Sequence, residues 1–167
     1  DMCIKSSGFD DVIIEGNTMV DCGVGFFVPS NFYATSVYYG GNGTHNLQVN
    51  NNEFVDCVNL CMWYYLNANA HDAEFNDNTI TGMSPRYAVY SQDSTVFTVE
   101  IDGNTLLGDN PIYMRGAREW TITNNDITGI RSAANAGIYV LNGHGEISGN
   151  TLTDADGGIA LSGIRSG

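Results

Sequence analysis

One phrase recurs six times along this chain, and that recurrence decides what the chain can fold into. The copies read VIIEGNTM (12–19), VNNNEF (49–54), FNDNTI (75–80), IDGNTL (101–106), ITNNDI (122–127) and ISGNTL (147–152). Aligned on the second polar residue, they place Asn17, Asn52, Asn78, Asn104, Asn125 and Asn150 in one column, at steps of 35, 26, 26, 21 and 25 residues. The preceding column holds Gly16, Asn51, Asp77, Gly103, Asn124 and Gly149. These are residue types that accept a left-handed backbone at least cost. Apolar residues fill the columns five before, three before and two after the Asn, with Gly145 the exception in the first.

Each copy therefore reads as a short strand with period-two alternation, a sharp bend and a second apolar position. A further apolar stretch follows each bend: GVGFFV (23–28), LCMWYY (60–65), YAVY (87–90), PIYM (111–114), GIYV (137–140) and GIAL (158–161). Short strands at one-coil intervals with no helical period predict an all-β solenoid of about six coils, each stacked on the last. Stacked coils bring like residues about 4.8 Å apart. At that spacing the six Asn side chains can bond from coil to coil as a ladder.

The repeated Ile-x-Gly-Asn-Thr-Leu followed by Gly-Ile-x-Leu resembles the right-handed parallel β-helix (pectin-lyase-like) superfamily over nearly all of residues 9–165. The resemblance implies the fold and its handedness. For function it implies a carbohydrate-active or carbohydrate-binding extracellular protein. The ends carry no amphipathic capping segment. Met2 to Lys5 reads as the tail of a preceding coil, and Gly158 to Leu161 opens another strand. The expectation is a single partial domain, residues 1–167, cut from a longer solenoid.

Composition narrows the partners. A net charge of −13 argues against nucleic acid, whose affinity rests on Lys and Arg against phosphates. It suits an extracellular or cell-surface protein, or one that holds cations. No apolar run approaches the roughly 18 residues of a membrane span. Asn42-Gly43-Thr44 is a glycosylation sequon. Of four cysteines, Cys22 and Cys57 occupy the same column, so adjacent coils bring them within disulfide range; a buried thiol stack is the alternative.

Outward columns are where a solenoid carries chemistry. Four and two before the ladder Asn lie Glu74, Glu100 and Asp102, with Asn76 beside them. Carboxylates stacked that closely repel unless a Ca²⁺ ion or a shared proton intervenes, or unless they splay into water. Glu74, Glu100 and Asp102 are thus the candidate metal ligands. If Val89, Ile112 and Ile138 face inward, Tyr90, Tyr113 and Tyr139 face outward, one per coil. They form either a platform for sugar rings or a cross-strand aromatic ladder. With Arg115 they are the candidate polysaccharide-binding residues.

Gly143-His144-Gly145 resembles a motif of polygalacturonase-type glycoside hydrolases, but the Asn-Thr-Asp and Arg-x-Lys motifs that accompany it there are absent. A turn His between two glycines is the simpler meaning. A lyase would need Lys or Arg as base, drawn from Lys5, Arg86, Arg115, Arg118, Arg131 and Arg165. Two aromatic excursions, Pro29 to Asn46 and Trp63 to Asp72, are expected to flank one groove. The functional expectation is a domain that binds or processes polysaccharide, with catalytic residues unassigned. The alternative is a structural or adhesive surface module whose partners are other subunits.

Overall fold

The computed structural model describes residues 3–6, 11–22, 35–41, 46–57, 60–66, 72–82, 86–92, 98–130 and 136–164. Among them there is no helix. The strands follow one another coil by coil: β1 (Ile4–Ser6), then β2 (Val12–Glu15), β3 (Thr18–Val20) and β4 (Thr35–Gly41). Next come β5 (Leu47–Asn50), β6 (Glu53–Val55) and β7 (Leu60–Leu66), then β8 (Ala73–Asn76), β9 (Thr79–Thr81) and β10 (Tyr87–Gln92). They continue as β11 (Thr98–Asp102), β12 (Thr105–Leu107) and β13 (Ile112–Arg115), then β14 (Glu119–Thr123) and β15 (Asp126–Ile130). The last are β16 (Ile138–Ser148), β17 (Thr151–Ala155) and β18 (Ile159–Ile164).

Every strand pairs in parallel with its counterpart one coil away, which builds three faces. Face A runs β1, β4, β7, β10, β13, the first part of β16, and β18. Face B runs β2, β5, β8, β11, β14 and the second part of β16. Face C runs β3, β6, β9, β12, β15 and β17. The strand β16 turns the corner from A to B without a break, at Asn142 and Gly143, both with positive φ.

The columns read from the sequence are the pairing rows of the sheets. Ile14, Val49, Phe75, Ile101, Ile122 and Ile147 stand in register on face B, as do Val12, Leu47, Ala73, Val99, Trp120 and Gly145. Most of these side chains are buried in one continuous core with Phe54, Ile80, Leu106 and Ile127 of face C and Val89, Ile112 and Ile138 of face A. Each large apolar side chain so buried contributes roughly 1.5–3 kcal/mol. At the last strand the inward row positions, Ile159 and Leu161, are about half exposed, with no further described coil across them.

The bend between faces B and C is left-handed in every coil, at Gly16, Asn51, Asp77, Gly103, Asn124 and Gly149. The Asn that follows turns inward. Asn52, Asn78, Asn104 and Asn125 are fully buried. Each side-chain oxygen accepts from the backbone N–H and the amide of the Asn one coil earlier, as Asn104 Oδ1 does from Asn78 at 2.8 and 3.0 Å. Each amide also donates to a carbonyl of the preceding coil: Asn104 Nδ2 to Phe75 O at 2.6 Å, Asn125 Nδ2 to Ile101 O at 2.9 Å. The ladder is unbroken from Asn17 to Asn150.

Part of the expected loop from Pro29 to Asn46 is a strand. β4 pairs with β7 from Thr35↔Leu60 to Gly41↔Leu66, and Trp63 to Leu66 belong to β7 rather than to an excursion. Aromatic residues suit a pleated sheet, and the Tyr-Tyr and Gly-Gly pairs of Thr35–Gly41 obscure its alternation. Residues 23–28, Phe32, Tyr33, the sequon at 42–44 and residues 67–71 lie outside the described residues.

Asn104→Ala is expected to lower stability by about 3 kcal/mol, because Phe75 O and Asn78 N–H both lose buried partners. Asn17→Ala, at the exposed end, is expected to change it by less than about 1 kcal/mol, since the Asn17 backbone N–H still satisfies Asn52 Oδ1. Urea denaturation of both variants checks this. Equal losses would remove the ladder as the source of the effect.

Candidate functional site

Face A carries the aromatic residues. Tyr90, Tyr113 and Tyr139 are register partners on β10, β13 and β16, and all three are half-buried. Their inward neighbours Val89, Ile112 and Ile138 are fully buried, so the rings lie on the outer surface. Tyr90 and Tyr113 stack at 5.3 Å and 15°, Tyr113 and Tyr139 at 4.8 Å and 10°. The ring planes thus lie across the solenoid axis. Edges and phenol hydroxyls face outward, and most ring faces are taken up by the next ring. The same row continues in backbone register through Trp63 and Tyr38 to Lys5.

A fourth ring, Tyr87, joins the group at 4.8 Å from Tyr90 and 5.4 Å from Tyr113. Strict alternation places residues three apart on opposite faces. Here Ala88 and Val89 are both buried, and both backbone N–H groups donate to Pro111 O, at 3.0 and 2.8 Å. The register is unbroken there, with Tyr87 opposite Leu60 and Val89 opposite Met62, so the break in alternation falls at the first residue of β10 without an inserted residue, and it leaves the Tyr87 ring among the outer rings. Arg86 lies over the Tyr87 ring at 5.1 Å, a cation–π contact. Arg115 is exposed two residues beyond Tyr113, at the outward position after it. Tyr87 and Arg86 were not legible as site residues from period two alone. The Tyr-Ala-Val-Tyr spacing is the trace they leave in the sequence.

The acidic row lies on face B, away from the rings. Glu74 and Glu100 are register partners, but Glu74, Glu100 and Asp102 do not converge as a metal site. Among the described residues no three His, Cys, Asp or Glu groups do. Neutral donors separate the charges instead. Asn76 Nδ2 donates to Glu100 Oε1 at 3.0 Å. Thr123 Oγ1 and Asn124 Nδ2 donate to Asp102 Oδ1 at 2.5 and 2.8 Å. Asp102 also belongs to an outer chain of bonds, its N–H donating to Asn76 Oδ1 as the Asn76 N–H does to Asn50 Oδ1.

The cysteines pair differently from the expectation. Cys22 bonds to Cys3 and Cys57 to Cys61, with Cα separations of 5.6 and 5.7 Å, and no described cysteine is free. Cys22 and Cys57 do share a column. Residues in one row project their Cβ atoms in parallel, about 4.8 Å apart, which is wide of the 3.5–4.5 Å that a disulfide spans. Each cysteine instead meets a partner whose Cβ approaches from elsewhere in the chain.

Gly143-His144-Gly145 is explained by packing. A Cβ on Gly143 would strike the Ala117 carbonyl, and one on Gly145 would strike the Trp120 carbonyl and lie 2.6 Å from its indole ring. His144 is exposed and sits 3.6 Å from Glu119, its register partner on β14. The bulk of Trp120 is thus accommodated by a glycine in the same row of the next coil. Gly145→Ala is expected to lower stability by about 2–3 kcal/mol. Shortening Trp120 to Val is not expected to restore it, since the carbonyl stays in place. Melting temperatures of the single and double variants decide between the ring and the backbone as the obstacle.

The geometry is that of a parallel β-solenoid with an aromatic strip on one face. The family model described as right-handed β-helix region matches residues 64–166. No curated protein and no solved structure matches the chain. With most of its length covered by that model, and with parallel strands closing coil upon coil, the chain belongs to the right-handed β-helix family.

Proposed function

We propose that this chain is an extracellular or cell-surface β-helix domain that binds polysaccharide along face A. The observation that carries the reading is the strip of Tyr87, Tyr90, Tyr113 and Tyr139 with Arg86 and Arg115 at its margins. It presents tyrosine rings at one per coil, with guanidinium donors at two points along it. A linear polymer of hydroxyl-rich units offers a matching series of acceptors and apolar C–H groups. Two disulfides support an oxidising location. The charge of −13 supports a sugar rather than a nucleic-acid partner. Among the described residues no helix is long and apolar enough to cross a membrane.

A second reading has its own observation. Both faces of Tyr113 are covered by neighbouring rings, as in an aromatic ladder that tightens the coil stack. That favours a structural or adhesive module whose outer strip meets other subunits.

Affinity electrophoresis against neutral and acidic polysaccharides, with and without Ca²⁺, tests the first reading. Retardation by at least one polymer is expected, weakened about tenfold in the Arg86→Ala/Arg115→Ala double variant. New reducing ends would add processing to binding. No retardation across the panel, with self-association in sedimentation, would select the second reading.

A further inference from the structure

The aromatic row does not run the length of face A. Tyr113 is covered on both faces, but Tyr139 is stacked only by Tyr113 among the described rings. Its register partner on β18 is Ala160. The row therefore ends in a step one side chain deep. The outer face of Tyr139 looks across the place that a further ring would occupy, and a methyl group forms the floor. At the next outward positions Leu141 and Ser162 border the step, Ser162 exposed.

We propose that this step is a stacking subsite for one pyranose ring of a neutral, β-linked polysaccharide, seated by a face that carries only axial C–H groups. The proposal rests on the reading of face A as a polysaccharide surface and says where on that face a sugar is gripped. The face of an aromatic ring is electron-rich, and C–H groups laid over it are held by dispersion and by that quadrupole. Within the described Tyr stack such a face is open only at Tyr139. The vacant row position lies about one coil, or 4.8 Å, from Tyr139, which is the distance at which Tyr113 stacks on its other side. One six-membered ring fits that height. A sugar seated there meets Tyr139 with its flat C–H face, rests on Ala160, and has the Ser162 hydroxyl beside its own hydroxyls.

The chemistry of the step selects the ligand. A glucose ring in β-linkage offers a face of axial C–H bonds with its hydroxyls equatorial. An axial hydroxyl on the stacking face would press a polar group against the ring and lose its water without a partner, so the seated ring must present a face free of axial hydroxyls. The charge of −13 disfavours uronate polymers, which carry one negative charge per unit.

Ala160→Tyr provides the test, because it continues the stack and fills the step while leaving Tyr139 in place. The probe is the β-1,4-linked glucose tetramer, titrated by NMR against the unaltered chain, Ala160→Tyr, Tyr139→Ala and Ile122→Val. The tetramer is expected to bind the unaltered chain. Ala160→Tyr and Tyr139→Ala are each expected to weaken it about tenfold or more, the loss of one ring contact. Ile122→Val, a core truncation on face B that touches no ring of the strip, is expected to bind within about twofold of the unaltered chain, which separates loss of the contact from a general loosening of the coils. Melting of Ala160→Tyr at or above the unaltered temperature would show that the fold is intact. Equal binding by Ala160→Tyr and the unaltered chain overturns the subsite. If the Arg86→Ala/Arg115→Ala variant nonetheless loses polymer binding, the reading of face A survives without it. If neither the tetramer nor any polymer binds, both fall.

Discussion

The corner between faces B and C is the constraint on which the other rows depend. A strand ladder satisfies backbone groups only while the strands run straight, and the chain must bend sharply at this corner in each of six coils without leaving buried polar groups unpaired. The left-handed residue makes the bend sterically possible. The Asn after it makes the bend affordable in hydrogen bonds, because its amide offers the same donor and acceptor pair as a peptide group. Asn78 Nδ2 reaches Val49 O at 2.6 Å while Asn78 Oδ1 takes both the N–H and the amide of Asn52. The side chain thus acts as an extra rung at the place where the backbone cannot supply one. This fixes the axial rise at the corner to that of the sheets, and register on every face follows from it.

That dependence explains what was legible. Columns aligned on the ladder Asn gave the pairing rows of faces B and C residue for residue, because register there is locked at one point in each coil. The partnership of Tyr90, Tyr113 and Tyr139 was readable from a different signal, the apolar stretches YAVY, PIYM and GIYV, because their offsets from the ladder Asn differ. Features that break the repeat were not readable. Tyr87 reaches the outer side at the first residue of β10, where Ala88 and Val89 both turn inward, a departure that period two cannot anticipate. β4 lies within a step of 35 residues, so no fixed offset from Asn17 located it. The disulfides depend on the direction of Cβ vectors, about which a shared column says only that they are parallel. The acidic row was placed correctly, but not its resolution: Asn76, Thr123 and Asn124 serve as neutral donors, a role their types permit and do not dictate.

The glycines at the bends show how tightly neighbouring coils are matched. A Cβ on Gly103 would strike Asp77 Oδ1, and one on Gly149 would strike Asn124 Oδ1. At these bends the short polar side chain of Asp77 or Asn124 leans over the same position of the next coil, which is glycine, whereas the coil after Asn51 carries Asp77. Gly16 has no such neighbour and open space around it. The mixture of Gly, Asn and Asp in that column is therefore not free variation among turn formers. At these two bends the glycine is needed for space as well as for its positive φ.

The same reasoning bears on where a solenoid can hold a ligand. A uniform row fills its own surface: each side chain covers one side of the next, as the faces of Tyr113 are covered by Tyr90 and Tyr139. Space appears only where a row changes size. In the inward row, the change from Trp120 to Gly145 is taken up by the indole itself, which lies against the glycine with the Trp120 Nε1 buried and without a hydrogen-bond partner. On the outside, the change from Tyr139 to Ala160 leaves a free aromatic face beside a small floor. Size breaks of this second kind, along an outward row of otherwise constant chemistry, are what a regular repeat offers as recognition sites. They are visible in a sequence once the columns have been aligned on the residue that sets the register.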